Sequence, residues 1–162
     1  MKAVLSHLML FAWALWLGGT ISVFVFGFHF FASLPKDVAR DSARSMFQAF
    51  GPYEGILAGV AILSSIALLV LKPSICSLLL TGCLVFAGAI VFAHTLGVMH
   101  HMEVLHAQGN VGTPEWLKWH KNSMLLMALQ AIVLLLTGVV VFWAIKKDGA
   151  GTPRLSLEEA RH

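Results

Sequence analysis

Charge is what this chain of 162 residues has least of: Asp, Glu, Lys and Arg make up 12% of it, against 58% hydrophobic residues. A soluble fold draws on about 25% charged residues to cover its surface, so a water-facing exterior is excluded and lipid must take its place. Disulfides are excluded as a source of stability. Cys76 and Cys83 lie seven apart on one helical face, beyond the reach of disulfide geometry, and read as reduced packing residues. The net charge is only +3 and the basic residues are scattered rather than massed, which excludes nucleic acid as a partner. A glycine-rich phosphate loop, a nucleophile beside a base and a pair of carboxylates are all missing. Independent hydrolase or kinase activity is therefore not expected.

What the sequence does contain is four long apolar runs, giving spans of about 8–34, 53–71, 74–99 and 122–145. Roughly 20 helical residues cross the hydrocarbon core, and each run approaches or exceeds that, the second only with Tyr53 and Glu54 at its lip. Inside lipid every backbone N–H and C=O must be paired within its own segment, which leaves helices and excludes open strands. The expected fold is all-α: one integral membrane four-helix bundle over residues 1–147, with 148–162 as a flexible tail. The first run is too long for a cleaved leader, because it continues through Phe24, Phe26, Phe28, Phe30 and Phe31.

The connections differ in kind. Only Lys72 and Pro73 separate the second and third runs, a tight turn between antiparallel neighbours. In residues 35–50, Val38, Ala39, Ala43, Met46 and Phe50 share one helical face while Lys36, Asp37, Arg40, Asp41 and Arg44 share the other. That pattern predicts an interfacial amphipathic helix between helices 1 and 2. Gly109 and Asn110 stop the third helix after Ala107, and Thr113, Pro114 and Glu115 start the fourth. Helices 3 and 4 are then each about 48 Å long and protrude from the bilayer as a hairpin. Lys2, Lys72, Lys146, Lys147, Arg154 and Arg161 slightly outnumber Lys36, Arg40, Arg44, Lys118 and Lys121 at the other end. The bias places both termini in the cytoplasm and the hairpin outside the cell (inner) membrane.

Helices in lipid associate through small and polar residues, so Gly18, Gly55, Gly59, Gly82, Gly88 and Gly138 mark expected close approaches. On the fourth helix, Trp116, His120, Ser123, Met127, Gln130, Leu134 and Thr137 form one seam, with Ser123, Gln130 and Thr137 as its mid-span polar groups. The facing seam on the third helix carries His94, Gly97 and His101. Antiparallel registry places His101 near His120 and His94 near Met127, to within about one turn. His29 and Glu54 flank the first connection, so His29, Glu54, His94, His101 and His120 are expected to converge at one end.

Three readings of that convergence stay open. His29, His94, His101 and His120 suit haem b, and His94, His101, His120 and Glu54 suit a transition metal such as copper, for electron transfer or metal handling. Alternatively the histidines fix helix registry in a non-catalytic accessory subunit, bound to other membrane subunits or to a second copy. Thirdly, Ser123, Gln130 and Thr137 line a small-solute or proton path. The five tryptophans carry no assigned role, since Trp is enriched at membrane interfaces.

Two segments carry a resemblance. The run Trp16, Gly18 to Gly27, Phe28, Phe31, Leu34, Pro35 and Lys36, followed by Phe47 and Tyr53, is similar to the opening of the transmembrane protein 205 family. Trp119, His120, Lys121, Asn122, Ser123 and Met124 resemble that family's later motif, a histidine followed three residues on by a serine. Where the family pattern continues to an asparagine, this chain has Met127. The resemblance implies a four-helix membrane protein concerned with transport, trafficking or metal handling, and points to His120 and Ser123 as functional positions.

Overall fold

The computed structural model describes the backbone of residues 2–150 and the side chains up to residue 144. Helix α1 runs over Lys2–Ser33, α2 over Lys36–Leu71, α3 over Ile75–Phe92, α4 over His100–Ala107 and α5 over Pro114–Ala150. A π-helical segment, Ala93–Met99, joins α3 to α4 without a break, so that Ile75–Ala107 is one rod. Among the described residues, four helices are thus long and apolar enough to cross a membrane. They run up, down, up, down: α1 packs on α2, α2 on α3 and α3 on α5, and α5 meets α1 more sparsely to close the ring.

Local chemistry sets the ends. Ser74 caps α3 by accepting from the Ser77 N–H at 3.1 Å, while the Ser77 hydroxyl accepts from the Ser74 N–H at 2.9 Å. Gly109 adopts φ +75°, a left-handed conformation that glycine enters without steric penalty, and it ends α4. Thr113 then accepts from the Trp116 N–H at 3.3 Å and starts α5 at Pro114, as the sequence predicts. The tail placed from Asp148 onward lies, past Ala150, outside the described residues.

The helix expected to lie along the membrane surface is instead the upper part of α2. Only Leu34 and Pro35 separate α1 from α2, and α2 continues through Pro52 to Leu71. The reason is packing. Ala39 and Ala43 are buried, the Phe50 ring sits over Gly19, and Met46 lies over Gly27, so most of the apolar face of this segment meets α1, with Val38 left half exposed. A Cβ on Gly19 would come within 2.5 Å of the Phe50 ring.

The core fills the half of the bundle nearer the termini. Met9, Ala12, Trp16, Ala61, Leu84, Ala87 and Leu134 are buried there, and Trp13 ties α1 to α5 by donating to the Leu134 carbonyl at 3.0 Å. Gly88 and Gly138 allow close approach as expected, one beneath Ile62 and the other beneath Trp13. A Cβ added at Gly18, Gly55, Gly59 or Gly82 would meet nothing within 4 Å, so these four do not mediate packing between the helices of this chain.

Candidate functional site

Glu54 occupies the middle of α2, ten residues below Arg44, or about 15 Å of helix, and about 27 Å from Lys72 at the other end. The run it was expected to border extends on both sides of it, and its side chain is only 5% exposed. A charged or polar group inside lipid is stable only when its hydrogen bonds are made by protein, and here α1 and α5 supply them. Trp16 on α1 donates its indole N–H to Glu54 Oε1 at 3.0 Å. The Gln130 amide on α5 donates to the same oxygen and, at 3.2 Å, to Thr20 Oγ1. The Thr20 hydroxyl donates to the Trp16 carbonyl one turn back, at 2.9 Å. Trp16, Thr20, Glu54 and Gln130 therefore form one linked polar cluster whose members are all buried.

The other carboxylate oxygen is placed differently. Oε2 takes no hydrogen bond from a described residue, and Glu54 forms part of the wall of a cleft. That cleft, about 350 Å³, lies between α2 and the Ile75–Ala107 rod. Its polar lining descends from Glu103 and His100, both exposed at the charged end, past Gln48, Thr95 and His94 to Glu54. Pro52 has no N–H to return to the Gln48 carbonyl, which adds a main-chain acceptor beside the same path.

His94 lies in the π-helical segment, a geometry found often at functional sites. It is buried, and its Nε2 makes a 2.8 Å hydrogen bond with Ser123 Oγ on α5. The partner is one helical turn from the expected Met127, which also lines the cleft.

The remaining predicted site residues part company. The His101 ring lies against Trp119, with centroids 4.4 Å apart, and its Nε2 is 3.4 Å from Glu115 Oε1 in an exposed pair. His120 stacks on Trp116 at 5.0 Å and forms part of the wall of a second cavity. His29 is exposed on the outer face of α1 and joins neither group. Thr137 is buried but donates to its own helix, to the Val133 carbonyl at 2.8 Å. Among the described residues, no three His, Cys, Asp or Glu side chains converge to hold a metal ion. Of the expected group, Glu54 and His94 thus line one cleft, while His101 and His120 take separate aromatic neighbours and His29 stands apart, because rotation about each helix axis sends neighbouring rungs toward different partners.

The second cavity, about 560 Å³, lies at the charged end between the α1–α2 pair and the α4–α5 hairpin. Phe24, Phe28, Phe31, Phe47 and Trp116 make its wall largely aromatic.

Sequence reasoning missed Trp16 and Thr20. Their signal was a tryptophan in the middle of a long apolar run rather than at its edge, with a threonine one turn on.

The fold defines a multi-pass membrane protein, a helical bundle in contact with lipid along its outer face. Compared with known proteins, the chain matches no family model, no curated protein and no solved structure.

Proposed function

We propose that this protein is a small proton-linked transporter of the membrane, with Glu54 as its proton-carrying group. One observation carries the reading: Glu54 is buried at mid-bundle with Oε1 held by Trp16 and Gln130 and Oε2 without such a bond, in the wall of the cleft. An ionisable residue at such depth marks an ion or proton pathway by default. The fixed oxygen anchors the side chain, and the other exchanges a proton with water in the cleft. Glu103, His100 and His94 stand along the same wall as the titratable groups of the third rod, while α1 and α5 offer Glu54 only neutral donors. Below Glu54 the packing is mostly apolar, and the buried hydroxyls of Ser65, Thr81 and Thr137 there donate to main-chain carbonyls, so access is from one side, as alternating exposure requires and an open channel does not. With the termini in the cytoplasm, as the charge bias suggests, that side is the outer one. The resemblance to the transmembrane protein 205 family leans the same way.

A haem b or copper site has less support. His94 engages Ser123, His101 faces Glu115 and Trp119, and only His120 of the expected ligands lines the larger cavity.

The test is infrared difference spectroscopy of the reconstituted protein across a pH step. A carboxyl band that follows bulk pH, vanishes in Glu54→Gln and survives in Glu115→Gln is expected. A band unchanged by Glu54→Gln, or none that responds to pH, would overturn the proposal.

A further inference from the structure

The larger cavity meets the cleft that reaches Glu54 at Phe47, Met99 and Glu103, and its lining combines two chemistries. Its volume of about 560 Å³ falls within the roughly 300–1,000 Å³ typical of ligand sites. The wall is apolar and aromatic, and Phe28 and Phe31 belong both to that wall and to the exposed face of α1, at 79% and 58% exposure. The cavity is thus continuous with an apolar, outward-facing strip of α1 of the kind that lipid covers.

Charged groups occupy the upper margin of the same cavity. Arg40 and Arg44, one turn apart on α2, supply two guanidiniums, and Asp41 and Glu103 supply two carboxylates. Arg40 makes only a long 3.8 Å contact with exposed Asp37, and Arg44 has no ion-pair partner among the described residues. Guanidiniums favour phosphate, which they bind through paired N–H donors. Carboxylates of equal number favour an ammonium and disfavour a second negative charge. Deeper in, His120 stacks flat on Trp116, and neither of its ring nitrogens has a hydrogen-bond partner among the described residues. Its edge is available to an ester carbonyl.

From this pairing we infer that the cavity is a binding site for an aminophospholipid of the phosphatidylethanolamine type. An acyl chain lies among the phenylalanines, the phosphate sits between Arg40 and Arg44, and the ammonium faces Asp41 and Glu103. A purely anionic lipid meets the carboxylates unfavourably, and an uncharged amphiphile leaves the arginines unused.

Native mass spectrometry of the detergent-purified chain, titrated with phosphatidylethanolamine, phosphatidylglycerol or diacylglycerol, tests this directly. Phosphatidylethanolamine is expected to be retained at about fivefold lower concentration than either rival, a gap of the size one charge-assisted contact supplies. Arg44→Ala should remove most of that advantage, and Asp41→Asn should narrow the gap to phosphatidylglycerol alone. Both positions are exposed, so neither variant endangers folding. Equal retention of the three lipids, preference for phosphatidylglycerol, or an unchanged profile in Arg44→Ala would overturn the inference. None of these outcomes bears on Glu54, which lines the other cleft.

Discussion

The two halves of the bundle solve the same problem in opposite ways. Toward the termini, Ala12, Ala61, Leu84, Ala87 and Leu134 fill the space between helices almost completely. Toward the charged end, the same four rods enclose two hollows and expose Arg40, Asp41, Arg44, Glu103 and His100. Helices in lipid gain little from hydrophobicity and hold together by close fit, so the packed half supplies the stability. The hollow half is then free to carry polar groups, and the Trp16, Thr20, Glu54 and Gln130 cluster marks the border between them.

The widest gap between the halves should be seen on truncation of a core side chain. Leu134→Ala, at a fully buried position, is expected to lose about 2–5 kcal/mol in detergent unfolding followed by tryptophan fluorescence, whereas Met124→Ala on the larger cavity's wall should lose far less. Equal losses would erase the distinction. At the border, Glu54→Leu leaves the Trp16 and Gln130 donors without their acceptor, a loss of about 1–3 kcal/mol in the same assay, and Glu54→Gln should restore part of it. A neutral Glu54→Leu would mean that the cluster is not a structural border.

Smaller effects sharpen the picture. A Cβ at Gly138 would fall 2.8 Å from the Trp13 ring, which is held by its bond to Leu134, so Gly138→Ala should destabilise by about 1 kcal/mol. Gly55→Ala, with open space around it, should not destabilise. In the hollow half, a double-mutant cycle on His94→Ala and Ser123→Ala should return a coupling of about 0.5–1.5 kcal/mol, and a value near zero would place that hydrogen bond outside the stable core. His29→Ala, on the outer face of α1, should leave the unfolding curve in place.

How much of this was legible in the sequence depends on which force set each feature. The spans and the α4–α5 hairpin follow from hydropathy and from caps at Thr113, Pro114 and Gly109, signals local enough to read in one dimension. The seams on the third and fourth helices meet in the expected registry to within one turn: His94 bonds Ser123, and Met127 lines the same cleft. Gly88 and Gly138 were recognised as contact points and Gly19 was not, because a glycine permits close approach without saying which neighbour will use it. The segment 36–50 has the amphipathic pattern of a surface helix, yet Gly19 and Gly27 offered its apolar face a better partner than lipid. Glu54 was singled out for its position at one end, while its bonds to Trp16, Thr20 and Gln130 depend on three-dimensional placement that no local spacing encodes.

The wide coil at Ala93–Met99 sets the phase between the two ends of its rod. A turn closed from i to i+5 holds about one residue more than an α-turn, and one residue of α-helix is about 100° of rotation. Rewinding this stretch as α-helix with every residue kept would leave Leu84 and Ala87 keyed into the core while swinging His100 and Glu103 roughly a quarter-turn away from the cleft, and excising one residue would cancel that swing. The length of this stretch, as much as its composition, is what aims the upper rod.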